Sequence, residues 1–161
     1  MSFLDIIVII IKGGIIIMPL RIRYANIKDE MWLKLYDKHI QEEQLHESIL
    51  TNKILLILDN DSYVGWLRYN FFWDQIPFIN MLYILKEYQN KGYGRQLMDY
   101  FEHEMALKKH KLILTSSLSN EMAQNFYRKL KYKDCGSLLF LNEPLEIIFY
   151  KNLKKVKNEG N

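Results

Sequence analysis

The sequence predicts one domain of mixed α+β class, built on a mostly antiparallel sheet that contains one pair of parallel strands. Three apolar, strand-like runs follow one another over residues 54–85 with short turns between them, which is the pattern of an antiparallel meander. An amphipathic helix pattern then separates two further strand-like runs, and a crossover helix of this kind joins parallel strands. The length of 161 residues suits one compact domain.

The elements follow from the periodicity of apolar residues and from the turn residues between them. Strands are predicted at Leu20–Tyr24, Ile54–Leu58, Tyr63–Phe72, Phe78–Leu85, Lys111–Thr115, Ser137–Leu141 and Leu145–Tyr150. Helices are predicted after a cap at Asn26 or Asp29, at Glu42–Leu50, at Gly94–Lys109, and from a cap at Ser119 or Asn120 to Leu130. In the first helix, Met31, Leu35 and Ile40 mark an apolar stripe.

The composition excludes several classes of protein. Hydrophobic residues make up 49% of the chain and charged residues 25%, which is the balance of a globular protein. The net charge of +3 is far from the basic stripe of a nucleic-acid-binding protein, so no nucleic-acid partner is expected. Cys135 is the only cysteine, which fits a reducing cytoplasm, and no His, Cys or carboxylate cluster has the spacing of a metal site.

Residues 1–17 allow two interpretations. The apolar residues are too few and too interrupted to span a membrane, and no signal-peptide cleavage site follows them. A hairpin turning at Gly13-Gly14 is physically possible. Alternatively, codons for Lys12-Gly13-Gly14 can contain a purine-rich ribosome-binding sequence, so the segment is a translated leader and Met18 the natural start. The domain then covers residues 18–153, and residues 154–161 form a basic tail. The lysines near this end, Lys151, Lys154, Lys155 and Lys157, are expected to be solvated in a frayed C-terminus rather than to bind a partner.

The stretch Gln89-Asn90-Lys91-Gly92-Tyr93-Gly94-Arg95 lies between a predicted strand and a predicted helix. The first turn of a helix has unpaired N–H groups and the positive end of the helix dipole, so it attracts anions. Gly92 and Gly94 allow the backbone to approach a phosphate, while Lys91 and Arg95 add positive charge. The stretch is neither a Walker loop nor a Rossmann fingerprint. By itself it fits an ordinary glycine turn as well as a phosphate loop.

A second stretch makes the signal specific. Asn120-x-x-Ala123-x-x-Phe126-Tyr127-x-Lys129 follows the next predicted strand. Together the two stretches resemble the GNAT N-acetyltransferases, which show Gln/Arg-x-x-Gly-x-Gly/Ala followed by Asn-x-x-Ala-x-x-Phe-Tyr-x-Lys. The resemblance covers about residues 20–153. It implies the GNAT fold, with helices flanking a mixed sheet that splays between two parallel strands, and it implies acetyl-CoA as co-substrate.

The resemblance also implies roles for individual residues. The backbone of Ile84 and Leu85 is expected to hold the pantetheine arm, with an N–H at Ile84 facing the thioester carbonyl. Asn120 is expected to bond the same arm, and Tyr127 to lie near the sulfur as the acid that protonates the leaving thiolate. The pyrophosphate is expected to bind the N–H groups of Gln89, Asn90, Lys91, Gly92, Tyr93, Gly94 and Arg95.

The chain departs from the family pattern at two positions. Lys86 stands where many members have Pro, which leaves a backbone-mediated site intact. Lys131 stands where Gly usually precedes the aromatic Tyr132, and that Gly often has a positive φ after a helix. Lys131 therefore predicts a modest loss of stability or a different helix end.

The general base and the acceptor remain open at this level. The strand Phe78–Leu85 contains no Asp or Glu, and Asp74, Glu87, Glu143 and Glu146 each fit a surface charge as well as a base. Trp66, Arg68 and Phe72 share one face by alternation, with Trp73 next to them. They belong to a region that lines acceptor sites in the family and are the candidate acceptor-binding residues, although each aromatic residue alone fits the core better. Arg68 can meet an acidic group of the acceptor or a buried carboxylate of the protein.

Two functions follow from these expectations. The first is an N-acetyltransferase that passes an acetyl group from acetyl-CoA to a primary amine of a small molecule or peptide, by direct attack in a ternary complex. The second is a non-catalytic acyl-CoA-binding module, which only the missing strand carboxylate supports. The expected partner is the amine acceptor, with no membrane partner, and the protein is expected to be a monomer or a homodimer.

Overall fold

The structure is a computed structural model that describes residues 6–11 and 14–154, with side chains from Leu20 onward. The chain divides into two compact units. The first comprises Met1–Arg68 and Met81–Leu97, and the second comprises Tyr69–Asn80 and Met98–Asn161. Two strands and one helix are divided between the two units.

The first unit combines antiparallel strands with two short helices. Its complete elements are β1 (Ile6–Ile11), β2 (Gly14–Tyr24), α1 (Glu30–Tyr36), α2 (Glu42–Leu50) and β3 (Ile54–Asp59). It also includes the first part of β4 (Ser62–Phe72), the end of β5 (Ile76–Ile84) and the first part of α3 (Tyr93–Leu107). The strand order is β1-β2-β3-β4-β5, and the first three pairs are antiparallel. Of the predicted meander, β3 and β4 pair antiparallel, and β4 and β5 are neighbours in the sheet.

The core of the first unit lies between the two short helices and the sheet. Leu33 of α1 and Leu45 and Ile49 of α2 pack against alternate residues of β3, among them Leu56. All five residues from Ile54 to Leu58 are buried, so both faces of β3 are covered.

The start of α1 confirms one prediction and overturns another. Asn26 caps a 3-10 turn over Ile27–Asp29 and accepts a hydrogen bond from the Lys28 N–H. The predicted stripe is wrong, because Met31 is 81% exposed and Leu35 is 67% exposed. The helix ends at Tyr36 after only two turns, and Leu33 is the residue that it buries.

The N-terminal strands pair as the hairpin interpretation requires. β1 lies antiparallel to β2, with a register that runs from Ile6↔Pro19 to Ile11↔Gly14. Met18 lies within β2. The leader interpretation and the domain boundary at residue 18 stay predictions, and residues 155–161 of the predicted tail lie outside the described residues.

The second unit contains the parallel pair. It comprises the remaining parts of β4, β5 and α3, followed by β6 (Leu112–Leu118), α4 (Ala123–Lys129), β7 (Lys133–Leu138) and β8 (Glu146–Asn152). The strand order is β4-β5-β6-β8-β7, with β8 antiparallel to both of its neighbours. β5 and β6 are parallel, as predicted, and pair only at Phe78↔Leu114 and Ile79↔Thr115.

The helices of the second unit cover one face of its sheet. Phe101 of α3 lies 4.8 Å from Tyr69, and Tyr127 of α4 lies 6.0 Å from Phe149, between ring centroids. Residues of the opposite face line an open apolar pocket of about 430 Å³, formed by Phe72, Trp73, Ile76, Phe78, Leu112, Leu114, Cys135, Gly136, Ile148 and Tyr150. One face of this sheet is therefore packed and the other is open.

Three predictions in the second unit need correction. The strand predicted at Ser137–Leu141 lies instead at Lys133–Leu138, where pairing with β8 sets it, and Leu139 and Leu141 are 82% and 90% exposed. Neither Ser119 nor Asn120 caps α4, which begins only at Ala123. Lys151 is not part of a frayed tail, because it lies in β8 and its Nζ donates to Glu102 at 2.6 Å.

Candidate active site

The loop between β5 and α3 contains two residues in the left-handed region. Asn90 has a φ of 60° and Gly92 a φ of 88°, and α3 begins directly afterwards at Tyr93. Gln89, Asn90, Lys91, Gly92 and Arg95 are exposed, whereas Tyr93 and Gly94 are half-buried. The N–H groups of the first turn of a helix have no partner within the helix, and here two exposed cations accompany them. The loop has the features of an anion site.

Tyr93 ties this loop to the end of β3. Its hydroxyl donates a hydrogen bond of 2.5 Å to the Asp59 carboxylate. That hydrogen bond, together with burial, raises the pKa of Tyr93 to about 12. The Lys91 ammonium lies 5.6 Å from the centre of the Tyr88 ring. The Tyr93 side chain thus connects the first turn of α3 to β3, although residue 93 stands at a variable position of the Gln/Arg-x-x-Gly-x-Gly/Ala motif.

The end of β5 carries the backbone groups that the resemblance assigns to the pantetheine arm. The Leu85 N–H donates to the Val64 carbonyl at 2.8 Å, and the Ile84 carbonyl accepts from Gln89 Nε2 at 2.9 Å. The Leu85 N–H is therefore already satisfied inside the sheet. The Gln89 side chain thus lies against the end of β5, and the roles predicted for Ile84, Leu85 and Gln89 stay predictions.

Trp66 and Arg68 converge on one buried carboxylate that sequence reasoning missed. Asp37 lies just after α1 and accepts from Trp66 Nε1 at 3.2 Å and from Arg68 Nε at 2.9 Å. Of the two alternatives for Arg68, the structure thus shows the buried carboxylate of the protein. Trp66 is a core residue, with the Tyr83 ring 5.0 Å away. No sequence signal marks Asp37, because one acidic residue after a helix is common at surfaces.

Phe72 lies in the second unit, where it lines the open apolar pocket beside the exposed Trp73. Asp74 lies in the hairpin turn that follows, with a φ of 60°. Asp74, Glu87 and Glu143 are exposed, which is the ordinary situation of a surface carboxylate. Within the described part of the chain, no group of His, Cys, Asp or Glu residues could hold a metal ion.

Tyr127 is the most buried of the predicted site residues in the second unit, at 5% exposure. Burial raises the pKa of its phenol, a hydrogen bond with Thr115 acts in the opposite direction, and the negative charge of Glu121 raises the pKa further. The phenol is therefore held in its protonated form, which is the form that a general acid needs.

Two buried hydroxyl residues lie at alternate positions of β6, the strand before α4. Thr115 Oγ1 donates to the Ile79 carbonyl at 3.2 Å, and Ser117 Oγ lies 3.3 Å from both the Leu118 carbonyl and the Glu121 carboxylate. Asn120 lies in the exposed turn before α4. Sequence reasoning missed Thr115, Ser117 and Glu121. One signal in the sequence could have indicated them: Thr115 and Ser117 place hydroxyl groups at alternate positions of β6, which begins with apolar residues.

Comparison with known proteins identifies the class. The mixed sheet is shared with an acetyltransferase of the GNAT family from Bacillus cereus, at 21% identity and a TM-score of 0.69, over 83% of this chain and 96% of that one. The ribosomal-protein-S18-alanine N-acetyltransferase of Escherichia coli has 12% identity and a TM-score of 0.69, over 88% and 99% of the two chains. An aminoglycoside 6'-N-acetyltransferase, solved with coenzyme A, has 17% identity and a TM-score of 0.69, over 86% and 99%.

The family itself follows from the sequence. The model of the acetyltransferase (GNAT) family matches residues 21–132, so this chain belongs to that family. It is an acyltransferase with acetyl-CoA as co-substrate, as the two motifs predict. No curated protein sequence matches the chain. Among the helices in the described ranges, none is long and apolar enough to cross a membrane.

Proposed function

We propose that this protein transfers the acetyl group of acetyl-CoA to a primary amine by direct attack in a ternary complex. The observation that carries the proposal is Tyr127, a phenol on α4 that burial keeps protonated at the position where the family motif has its acid. The acceptor is a small molecule or a peptide.

The proposed reaction has three requirements. The amine must be unprotonated, because an ammonium has no lone pair, and no described carboxylate stands out as its base. The carbonyl oxygen gains negative charge during attack, and the backbone N–H of Ile84 is the proposed donor. The thiolate then leaves and takes a proton from Tyr127. The proton that the amine must lose is accepted by a chain of water molecules, or the substrate binds already partly deprotonated.

Binding of the co-substrate is assigned to the exposed loop. We assign the pyrophosphate to the backbone of residues 89–95, and the pantetheine arm to the backbone of Ile84 and to the Asn120 side chain. The Leu85 N–H, predicted to hold the same arm, already donates to the Val64 carbonyl. The positive φ of Gly92 and its exposed position support this assignment, because a side chain there would be strained and the backbone is open to solvent.

For the acceptor, the contacts of Asp37 support an indirect role of two predicted residues. Trp66 and Arg68 both hold this carboxylate, so we propose that they fix the segment after α1 that the acceptor meets. Phe72 remains a proposed direct contact, because it is exposed at the rim of an apolar pocket.

The test combines binding with turnover. Saturating acetyl-CoA is expected to raise the melting temperature, since ligand at about one hundred times its dissociation constant stabilises by about 2.7 kcal/mol. Thiol release from acetyl-CoA is then followed against a panel of amines. A thermal shift without any turnover on the panel would instead favour a non-catalytic acyl-CoA-binding module.

Two variants separate the proposed roles. Tyr127→Phe is expected to lower kcat by about tenfold to a hundredfold, the low end of the contribution of a general acid or below, with unchanged affinity for acetyl-CoA. Gly92→Val is expected to weaken acetyl-CoA binding instead. Full turnover by Tyr127→Phe under conditions where chemistry limits the rate would make Tyr127 a packing residue.

A further inference from the structure

The open face of the sheet in the second unit is apolar, although it faces solvent. A sheet with one face in water normally carries polar residues on that face. Here Leu114 of β6, Gly136 of β7, and Ile148 and Tyr150 of β8 line the open apolar pocket instead. None of the described residues that line this pocket is charged. The face therefore has the composition of a surface that an apolar partner covers.

The loop between β7 and β8 continues this apolar surface. Leu138, the last residue of β7, lies on the face of the pocket because it is two residues beyond Gly136. The loop then turns at Asn142, which has a φ of 63°, and the Ser119 N–H holds its end by donating to the Leu145 carbonyl at 2.8 Å. The apolar residues that are exposed here, by 37% to 90%, are Leu138, Leu139, Phe140, Leu141 and Leu145.

The area of these exposed residues approaches that of a stable interface. Residues of this size have about 150–250 Å² of surface each, so at these exposures the five together present roughly 500–800 Å². The largest apolar patch of a typical monomer is about 300–600 Å². Each partner in a stable complex buries about 800 Å². With the half-buried residues of the pocket added, the surface reaches the size that a dimer needs.

The two ends of this face differ in charge. Lys133 pairs with Tyr150 at one end of the β7–β8 ladder, and Leu138 pairs with Glu146 at the other. Both charged residues lie on the open face, because paired residues point to the same side and Tyr150 lines the pocket. The negative end carries the apolar loop, whereas the pocket extends to the positive end. The face thus has a protruding apolar loop at one end and an apolar recess toward the other.

We propose that a second copy of this chain covers the open face, with the loop of each copy in the apolar pocket of the other. A twofold axis between the two sheets, perpendicular to their strands, reverses the strand direction and brings the loop end of one copy to the pocket end of its partner. The same rotation brings Glu146 of one copy to Lys133 of the partner subunit. Such an isologous contact closes after two copies. Phe72 lies on the rim of the pocket, where the acceptor and the partner's loop can both reach it.

Sedimentation equilibrium of the full chain over a range of concentrations tests the association. A dimer is expected, with a dissociation constant of about micromolar or lower, as for other interfaces of this size. Below that concentration the protein is expected to be a folded protomer whose open face is in water. The double substitution Leu139→Ser and Leu141→Ser is expected to raise the dissociation constant by more than about a hundredfold, because each copy loses two apolar contacts.

Leu35→Ser is the matched control, because Leu35 is an exposed leucine of α1 in the first unit, away from the proposed contact. It is expected to leave the dissociation constant unchanged. Melting temperatures at low concentration show whether each variant is folded.

Charge reversal tests both the orientation and the identity of the partner. Glu146→Lys and Lys133→Glu each place like charges at both ends of the contact, and each is expected to raise the dissociation constant by about tenfold at low ionic strength. In an equimolar mixture of the two variants, every heterodimer again pairs opposite charges at both ends. The mixture is therefore expected to associate as tightly as the wild-type protein. This test stays available if the double leucine variant does not fold.

Four results would overturn the inference. These are a wild-type protein that is monomeric at about 0.1 mM, an equal weakening by Leu35→Ser and by the double leucine variant, unchanged association of both charge variants, and a mixture that associates no more tightly than either charge variant alone. A monomer that sediments with phosphatidylcholine vesicles, and loses this binding in the double leucine variant, would assign the face to a lipid surface instead.

Discussion

The strands β3 and β6 show how differently the two units bury their sheets. In β3 five successive residues are buried, so both faces are packed. In β6 buried and half-buried residues alternate, so helices cover one face and the other remains open. The first unit therefore depends on close packing in all directions. The stability of the second unit depends on the packed face of its sheet, and substitutions on the open face are expected to leave the core intact.

The largest difference is expected between ion pairs of the two units. Asp37→Asn in the first unit leaves the buried Arg68 guanidinium without its carboxylate, and it is expected to lower the free energy of unfolding by about 4 kcal/mol. Asp134→Asn in the second unit removes the exposed partner of Arg128 and is expected to change stability by no measurable amount. Urea unfolding of both variants measures this difference, and equal losses would contradict the comparison.

Leucine truncation is expected to show the next largest difference. Leu56→Ala removes a fully buried side chain of β3 and is expected to cost about 3 kcal/mol, including the cavity that it leaves. Leu114→Ala, on the open face of β6, is expected to cost about 1 kcal/mol because this side chain is only partly buried. The same unfolding measurement tests this pair. A cost at Leu114 as large as that at Leu56 would show that its face is covered in solution.

A pair of glycines extends the comparison to the backbone. A Cβ atom at Gly65 would lie 2.3 Å from the Tyr83 carbonyl oxygen, so Gly65→Ala forces β4 and β5 apart and is expected to cost about 2 kcal/mol. A Cβ atom at Gly136 in β7 meets no atom within 4 Å. Gly136→Ala is expected to be neutral or slightly stabilising. Melting curves of the two variants provide the measurement, and destabilisation by Gly136→Ala would be the contrary result.

The smallest expected effect is a gain of stability in the second unit. Lys131 has a φ of 70°, a conformation that suits glycine. Lys131→Gly relieves this strain and is expected to stabilise the protein by about 1 kcal/mol, less the entropy that glycine adds to the unfolded chain. Lys133→Gly in β7, where no positive φ occurs, is the control and is expected to destabilise. If Lys131→Gly does not stabilise the protein, the entropy that glycine adds to the unfolded chain is as large as the strain that the substitution relieves.

The sequence predicted most strands within two residues because apolar runs and turn residues are local signals. It also predicted the strain at Lys131, since the family pattern places glycine there. The failures have a different origin. The seven-residue α1 is too short for a stripe, so Met31 and Leu35 point away from the core, and the position of β7 is set by pairing with β8. The periodicity of apolar residues predicts neither the length of a short helix nor the register between two paired strands.

The candidate site divides in the same way. The loop of residues 89–95 and Tyr127 can be proposed as site residues from the sequence because they belong to motifs with fixed spacing. The partners of these residues are not, because Asp37 precedes Arg68 by 31 positions and Asp59 precedes Tyr93 by 34. Contacts over such distances in sequence arise only from the fold. A single sequence therefore yields the reacting groups but not the residues that orient them.

The hydrogen bond between Tyr93 and Asp59 has a consequence for the start of α3 in alkaline solution. With its pKa raised to about 12, the Tyr93 phenol stays protonated under conditions in which ordinary tyrosines ionise, and its hydrogen bond to the carboxylate persists. Alkaline solution is also where primary amines lose their protons and become nucleophiles. The contact between residue 93, at the start of α3, and the end of β3 is therefore expected to persist in moderately alkaline solution.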